Sequence, residues 1–219
     1  MRILIVTATR MEVAPLLAAF HQIAERRAKL TSHGYGAHEV DVLVTGVGMV
    51  PTAAWCAHAL ARNTYDVALN FGVCGSFDRA LPPGTVVHVV ADRIAELGAE
   101  DDDAFLTMEE LNLPGDVEFV NTAPPANPVL AELPAVTGVS VNTVHGNTRS
   151  IAAVTARFHP QVESMEGAAF MAACLMYEVP FAQIRAVSNL VERRNRDAWK
   201  LEEAIVNLNA TALRFLDHA

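Results

Sequence analysis

The sequence has few aromatic and few charged residues, and both shortages limit what kind of protein it encodes. Aromatic residues make up 6% of the 219 residues and charged residues 19%, whereas 52% are hydrophobic. This composition excludes intrinsic disorder and favours helices packed closely on a sheet, and the length suits one domain. Basic residues are the scarcer charge, with 16 Lys and Arg against 25 Asp and Glu. The net charge of −9 argues against nucleic-acid binding, which needs an excess of Lys and Arg.

Cysteine is scarce as well, and its spacing excludes two kinds of site. The three cysteines, Cys56, Cys74 and Cys174, lie far apart and form no C-x-x-C pair. We therefore expect neither a disulfide framework nor a zinc site. Reduced cytosol is the location that this pattern favours.

Long hydrophobic runs are also lacking. The most apolar uninterrupted run, Gly167 to Tyr177, has about half of the roughly 20 residues needed to cross a bilayer. The apolar opening Met1–Val6 is soon followed by Arg10 and Glu12, and no small-residue cleavage site comes after it, which argues against a signal peptide. We expect a soluble, cytoplasmic protein that does not bind membranes.

Short apolar runs alternate with longer segments of helical spacing. Because the runs are apolar at successive positions, they are typical of strands covered on both faces. The predicted strands are Ile3–Thr7, Val40–Thr45, Val67–Phe71, Val86–Val90, Val139–Val144 and Phe181–Val187. The predicted helices are Glu12–Lys29, Met49–Asn63, Met165–Tyr177 and Asp197–Leu216. This alternation predicts an α/β three-layer sandwich around a mixed, largely parallel sheet, with residues 1–219 in a single domain.

The stretch Gly98–Pro134 is the least regular part of the sequence. It holds five of the eleven prolines and three consecutive aspartates, Asp101 to Asp103. Because it lies inside the chain rather than between two core-forming halves, we interpret it as a loop or lid insertion. The aspartates are interpreted as a solvated acidic loop rather than a metal site.

Two glycine pairs follow predicted strands, where glycine-rich loops can hold a ligand. Gly46 and Gly48 stand where a dinucleotide fingerprint begins, but Met49-Val50-Pro51 replaces its third glycine. No acidic residue closes a following strand about 20 residues later, so we expect no nicotinamide or flavin and no other cofactor. Gly72 and Gly75 end another apolar run, where backbone N–H groups can point at a ligand, although a tight turn is an equal alternative.

Three polar residues stand at the ends of predicted elements. Glu12 lies close to the start of the first helix, where a glutamate is ordinarily a helix-dipole partner. Glu166 begins the most apolar helix, where an unpaired charge is costly, so it needs a protein partner or a ligand hydroxyl. Asn189 ends the last predicted strand, at the carboxyl edge where open α/β sheets bind ligands, although Asn is also common in turns.

Together these features resemble the nucleoside phosphorylase and nucleosidase superfamily over most of the chain outside the Gly98–Pro134 stretch. Their order and spacing are more specific than any one of them alone. The segments that carry the resemblance are Glu12, Asn70–Gly75, Pro83–Val87, Met165–Ala168 and Val179–Asn189.

Two further segments are similar to the signature of the futalosine hydrolase family within that superfamily. They are Ser188–Lys200, continued by Ala204–Asn209, and Val141–Asn147. The resemblance implies hydrolysis of the N-glycosidic bond of futalosine, which releases hypoxanthine and dehypoxanthine futalosine in menaquinone biosynthesis.

The resemblance also implies roles for individual residues. Glu12 would hold and deprotonate the attacking water, Met165 would pack against the sugar, and Glu166 would accept hydrogen bonds from ribose hydroxyls. Asn189 would act at the purine base. The other implied substrate contacts are Val73, Gly75, Arg149 and Ser188. The implied partners are a nucleoside and water, and a homo-oligomer is the usual assembly of the superfamily.

Asn189 separates this chain from adenine-cleaving relatives, which place an Asp at the matching position. An Asp can deliver a proton to the seventh ring nitrogen of the purine, a contribution of roughly 10²–10⁴-fold, whereas Asn can only donate a hydrogen bond. Its NH₂ suits a 6-oxopurine because it can donate to the exocyclic oxygen and the neighbouring ring nitrogen. Hypoxanthine therefore fits better than adenine, and a nucleosidase of the methylthioadenosine type is the alternative.

Hydrolysis is favoured over phosphorolysis by what two segments lack. Thr7–Arg10 has no Gly-Asp-Pro before its arginine, and Val73 has no hydrogen-bonding side chain at the phosphate position of the glycine loop. A phosphate dianion would lose charge-assisted contacts worth roughly 1.5–3 kcal/mol each. Arg10 keeps a phosphorylase as an alternative.

The sequence leaves several candidates for the residue that stacks on the base. The aromatic residue of relatives is replaced by Thr148-Arg149. This leaves Phe77, Phe119 or the plane of Arg149 for stacking.

The partner of the substrate benzoate and the role of two histidines also stay open. The benzoate needs a cation, for which the candidates are Arg149 and the cluster of Arg193, Arg194 and Arg196, and a solvated turn is the alternative for the cluster. His88 and His145 are interpreted as structural, because a neutral imidazole near a strand end is common.

Overall fold

The computed structural model describes residues 1–27 and 29–219, and of residues 25–27 it describes the backbone alone. The strands are β1 (Arg2–Thr7), β2 (His21–Arg27), β3 (Leu30–Tyr35), β4 (His38–Val44), β5 (Val67–Ser76), β6 (Val86–Ile94), β7 (Gly98–Asp101), β8 (Ala104–Thr107), β9 (Glu118–Val120), β10 (Ala135–Ser140), β11 (Val162–Ser164) and β12 (Phe181–Leu190). The helices are α1 (Ala14–Ala19), α2 (Met49–Leu60), α3 (Pro128–Glu132), α4 (Thr148–Phe158), α5 (Gly167–Met176) and α6 (Leu201–Asp217). Short 3₁₀ helices cover Arg10–Val13 and Arg196–Ala198.

The main sheet is mixed and closes partly on itself. Parallel pairings join β4, β1, β5 and β12 in that order, and β6, β10 and β11 in that order. Strand β12 pairs antiparallel with β6, and β11 pairs antiparallel with β5. Strands β5, β12, β6, β10 and β11 therefore form a small closed barrel. Strands β3 and β2 extend the open edge beyond β4. Strand β5 therefore belongs to both the open sheet and the barrel.

Helices cover both faces of the open sheet. Ile5 and Leu69 pack against α1, α3 and α6, whereas Leu4 and Ala68 pack against α2 and α5. Successive strand residues thus enter opposite layers, which explains why the strands read as continuous apolar runs. The α/β sandwich with a mixed central sheet is confirmed. Among the described residues, no helix has both the length and the apolar character that a membrane span requires.

The helix predicted over Glu12–Lys29 is wrong beyond the end of α1. His21–Arg27 forms β2 instead, because it pairs antiparallel with β3 at the edge of the sheet. Phe20 packs against Tyr35 of that strand, with ring centroids 5.3 Å apart. Pairing with a distant strand overrides the local helical spacing here, and residue 28 lies outside the described part of the chain.

Two further differences lie in the second half of the chain. The strand predicted over Val139–Val144 begins and ends earlier, as β10, and α4 is a helix that the apolar spacing does not predict. The Asn147 side chain caps α4 by accepting a hydrogen bond from the Arg149 backbone N–H at 2.8 Å. Val154 then buries one face of α4 against β10.

The Gly98–Pro134 stretch contains regular structure. Strands β7 and β8 form a two-stranded hairpin apart from the main sheet. Strand β9 pairs with β6, and Leu130 of α3 joins the core beside α6. Among the strands of this stretch, β7 and β8 therefore lie outside the main sheet.

Candidate active site

A cavity of about 320 Å³ opens where several elements end. The carboxyl ends of β1, β5 and β12 meet the N-terminus of α5 there, at the edge where α/β sheets bind ligands. The lining residues are Ala8, Thr9, Met11, Glu12, Val47, Val73, Cys74, Gly75, Val144, His145, Glu163, Ser164, Met165, Glu166, Ser188, Asn189, Trp199 and Leu201. The volume and the mixture of apolar and polar walls suit a small-molecule site.

Glu12 is buried at the cavity wall, and its carboxylate accepts hydrogen bonds from both sides. Oε2 accepts from the Thr7 hydroxyl at 3.1 Å, from the Thr9 backbone N–H at 2.8 Å and from the Thr9 hydroxyl at 3.0 Å. Oε1 accepts from the Val73 backbone N–H at 3.2 Å. The contact with Thr9 is the helix-start role that the sequence suggests, whereas the contact with Val73 ties the carboxylate to the glycine loop. A carboxylate oxygen has two acceptor sites, so Oε1 can accept one more donor.

Glu166 is paired with a buried arginine. Its Oε1 accepts a hydrogen bond from the Gly48 backbone N–H at 3.0 Å, and its Oε2 lies 3.4 Å from Nη1 of Arg185. Arg185 is 1% exposed, and its Nη2 donates to the side-chain oxygen of Asn70. A buried carboxylate needs such a partner because the interior does not replace the water that it loses. Arg185 therefore makes the burial of Glu166 tolerable.

Gly72 gives the guanidinium room to approach both carboxylates. A Cβ added at Gly72 would overlap Nη1 of Arg185 and would lie 3.1 Å from Oε1 of Glu12. Glu12, Arg185 and Glu166 therefore share the space beside this glycine. Glu12 and Glu166 line the cavity and Arg185 is buried behind them, and we call these three residues the hydrolytic end.

A second group of residues surrounds Gly75, which follows Gly72 by three positions in β5. Gly75 is paired with Asn189 of β12 on one side and with Glu163 of β11 on the other. A Cβ added at Gly75 would lie 3.3 Å from Nδ2 of Asn189 and 3.4 Å from Cγ of Glu163, so both side chains flank the same bare position. We call Glu163, Gly75 and Asn189 the base end of the cavity.

Asn189 is oriented by its neighbours along the chain. Its Oδ1 accepts a hydrogen bond from the Ser188 hydroxyl at 2.8 Å, and its Nδ2 donates to the Leu190 carbonyl at 2.9 Å. A primary amide has two N–H donors and two acceptor sites, so one of each stays available for a ligand.

His145 and Glu163 form a charged or hydrogen-bonded pair on the same wall. Nδ1 of His145 lies 2.6 Å from Oε2 of Glu163, and the His145 backbone N–H donates to Oε1 at 3.1 Å. The Phe77 ring meets the imidazole at an angle of 63°, with centroids 6.1 Å apart. His145 thus lies on the cavity wall.

His88 lies in a different environment, outside the residues that line the cavity. It is 4% exposed, and burial lowers the pKa of its imidazole to about 4. The ring is therefore neutral at neutral pH, as expected of a structural histidine.

The cavity is acidic. Glu12, Glu163 and Glu166 line it, whereas no Lys or Arg of the described chain does. Burial raises the pKa of Cys74 to about 12, so this thiol is neutral and is not a nucleophile. Within residues 1–27 and 29–219, no three His, Cys, Asp or Glu side chains gather as a metal site would require.

The structure gathers most of the predicted site residues around this cavity. Those that it brings together are Glu12, Val73, Gly75, Met165, Glu166, Ser188 and Asn189. Arg149 is not among them, because it lies in the first turn of α4 and its exposed guanidinium pairs with Asp103 at 2.8 Å.

Two arginines of the predicted cluster lie close to Trp199, a residue of the cavity wall. The Cζ atoms of Arg194 and Arg196 are 5.5 and 5.9 Å from the centroid of the Trp199 ring, which lines the cavity. Cations at this distance are attracted to an indole face. Neither Phe77 nor Phe119 lines the cavity, so Trp199 is the aromatic side chain that the cavity offers within the described chain.

Sequence reasoning missed Arg185, Glu163 and Trp199 as site residues. Arg185 carries a signal, because it is the one charged residue in the apolar segment Phe181–Leu190. Glu163 and Trp199 carry none of their own, since only the pairing of β11 with β5 and the course of the loop before α6 bring them to the cavity.

Several known proteins are similar to this chain. Residues 2–218 match the model of the Phosphorylase superfamily. The chain is 36% identical over 180 residues to futalosine hydrolase of Streptomyces coelicolor, with 77% of this chain and 74% of that protein covered. It is 32% identical over 223 residues to futalosine hydrolase of Thermus thermophilus, with 97% and 94% covered.

The fold is similar to that of a solved nucleosidase. The structure of 5′-methylthioadenosine/S-adenosylhomocysteine nucleosidase from Colwellia psychrerythraea in complex with adenine matches with a TM-score of 0.81. The two chains are 25% identical, and the match covers 100% of this chain and 95% of that one.

Proposed function

The chain belongs to the Phosphorylase superfamily, and from this premise we propose that it hydrolyses the N-glycosidic bond of futalosine. Its relatives in sequence support a nucleoside N-glycosyl hydrolase, and those named above are futalosine hydrolases. The observation that carries the proposal is the meeting of Glu12, Glu166 and the neutral amide of Asn189 in one cavity. The products are hypoxanthine and dehypoxanthine futalosine.

Glu12 activates the attacking water. Its carboxylate is fixed by donors from Thr7, Thr9 and Val73, and Oε1 has one acceptor site left. A water bound there gives its proton to the carboxylate as its oxygen bonds to the anomeric carbon of the ribose.

Glu166 holds the ribose. Each of its oxygens has one protein partner, the Gly48 N–H or Arg185, so each can accept one more hydrogen bond. The two ribose hydroxyls supply those donors, and hydrogen bonds to a charged group are worth roughly 1.5–3 kcal/mol each. Met165, which precedes Glu166 and also lines the cavity, packs against the sugar.

Asn189 selects a 6-oxopurine. Ser188 and the Leu190 carbonyl hold the amide so that one N–H stays free, and this N–H donates to the oxygen-bearing edge of hypoxanthine. Val73 and Gly75 form the part of the wall that lies along β5. A side chain at Gly75 would not fit, because its Cβ would lie 2.8 Å from Cγ2 of Val191.

Water is a better nucleophile for this cavity than phosphate. A phosphate dianion would face the carboxylates of Glu12, Glu163 and Glu166, with no Lys or Arg of the described residues on the wall. Arg10 is exposed and does not line the cavity. The geometry therefore supports hydrolysis more strongly than phosphorolysis.

The test is a comparison of substrates by chromatography. The purified protein is incubated with futalosine, inosine and methylthioadenosine, each with and without phosphate. We expect hypoxanthine from futalosine at the highest rate, independent of phosphate, and little adenine from methylthioadenosine. Adenine as the main product would indicate the other nucleosidase type, and a phosphate-dependent sugar phosphate would indicate a phosphorylase.

A further inference from the structure

We propose that His145, positioned by Glu163, is the catalytic acid that protonates the purine as it leaves. The inference rests on the proposed function, which puts a 6-oxopurine next to Asn189. The amide of Asn189 donates a hydrogen bond but does not transfer a proton, so general acid catalysis at the departing base needs a second group. General acid catalysis contributes roughly 10²–10⁴-fold to the rate, and Asn189 cannot supply this contribution.

The register of the barrel strands places the pair beside the base. Glu163 and Asn189 are both paired with Gly75, one from each side, and both flank the position where a Cβ would lie. His145 is attached to Glu163 through its ring and its backbone N–H, and it lines the same cavity. A purine bound by Asn189 therefore shares this part of the cavity with Glu163 and His145.

The hydrogen bonds define which nitrogen of His145 can act. An ionised carboxylate only accepts, so Nδ1 facing Glu163 at 2.6 Å carries a proton. Nε2 has no hydrogen-bond partner in the described part of the chain, so it is the nitrogen available to a ligand.

The surroundings of Glu163 support His145 as the proton donor. The Glu163 side chain is 3% exposed, and among the described residues no Lys or Arg pairs with it. Glu166, in contrast, has Arg185 as its cation. A buried carboxylate without a partner is costly, and the His145 imidazole is the partner that the structure places beside Glu163.

The proposed step balances as follows. The bond between the anomeric carbon and the purine nitrogen breaks, and its electron pair moves to the purine. The Nε2 proton of His145 passes to the seventh ring nitrogen, which gives neutral hypoxanthine. The water oxygen bonds to the anomeric carbon and loses a proton to Glu12. Exchange with solvent then removes the proton from Glu12 and returns one to His145.

The experiment compares futalosine with a futalosine methylated at the seventh ring nitrogen. The methylated base leaves without needing a proton, so it bypasses the acid but not the water or the ribose site. We expect His145→Gln to lower kcat for futalosine by roughly 10²-fold or more and to change kcat for the methylated substrate by less than about fivefold. Glu163→Gln should show the same preference with a smaller loss in kcat and little change in KM.

Controls separate this inference from the proposed function. His21→Gln, an exposed histidine outside the cavity, should leave both substrates unaffected. Equal losses on both substrates, or no loss on either, would overturn the role of His145. If His145→Gln fails to fold, judged by circular dichroism, His145→Asn and Glu163→Gln are subjected to the same comparison. If the wild-type protein cleaves neither substrate, it is the proposed function that fails.

Discussion

The hydrolytic end and the base end of the cavity are built in different ways. At the hydrolytic end, the carboxylates of Glu12 and Glu166 are fixed by donors from several distant parts of the chain, and Arg185 lies close to both. At the base end, sheet register alone puts Glu163 and Asn189 on either side of Gly75.

This difference predicts which end of the cavity tolerates substitutions better. A substitution at the hydrolytic end leaves buried donors or a buried charge without a partner, so its effects spread to the other residues. At the base end, Asn189 keeps a free donor and a free acceptor, and its protein partners are its own neighbours in sequence. Base preference should therefore change more easily than the hydrolytic chemistry.

The largest expected effect is at the hydrolytic end. Glu12→Gln should lower kcat by roughly 10²–10⁴-fold, because an amide cannot take the proton of the attacking water. Saturating futalosine and a product assay measure kcat, and a melting curve checks that the variant folds. Glu100→Gln, an exposed glutamate outside the cavity, is the matched control. A kcat near that of the wild type would show that Glu12 is not the base.

The next effect tests whether the base end changes independently. Asn189→Asp should shift the ratio of kcat/KM for futalosine and its 6-amino analogue by roughly 10²-fold toward the amino compound. An ionised carboxylate repels the exocyclic oxygen, whereas an Asp can protonate the ring nitrogen of the amino purine. Steady-state kinetics on both nucleosides give the ratio. An unchanged ratio would contradict the role of Asn189.

A smaller effect is expected at the wall near Trp199. Arg194→Ala combined with Arg196→Ala should lower kcat/KM for futalosine by about tenfold and leave inosine, which lacks the benzoate, unchanged. Arg149→Ala tests the other candidate for the benzoate partner. The Arg149 guanidinium pairs with Asp103 away from the cavity, so we expect this variant to keep its activity on futalosine. Selective loss in Arg149→Ala instead would move the benzoate site to α4.

The smallest effect on activity is expected at His88, which belongs to neither end. Its pKa of about 4 in the folded protein lies below the ordinary value of 6.5, so the unfolded chain binds a proton first as the pH falls. The wild type should therefore lose about 2 kcal/mol of stability between pH 7 and pH 5 relative to His88→Gln. The raised pKa of Asp92, about 6, acts in the opposite direction but is common to both proteins. Urea denaturation at the two pH values measures the difference, and parallel pH profiles would contradict it.

Local patterns in the sequence account for most of the open sheet and for the two glutamates of the hydrolytic end. Runs such as Ile3–Thr7 are apolar at every position because both faces of the sheet are covered, and Glu12 and Glu166 stand at element ends. Strand β2 is not predicted because its extended conformation depends on pairing with β3. The neighbourhood of Glu163 and Asn189 is not predicted either, since register between strands far apart in sequence leaves no local pattern.

Strand β5 contributes to both the open sheet and the barrel, so we expect the cavity to form late in folding. Its residues meet Glu12, β11 and β12 across long loops, and the bond between Asn70 and Arg185 spans 115 residues. Closing such loops costs chain entropy before the contacts repay it, which slows the formation of these pairings. Until β12 docks on β5, the nascent chain has neither Arg185 to neutralise Glu166 nor Asn189 to meet a base. Catalytic activity should therefore report on completion of the barrel more faithfully than helix content does.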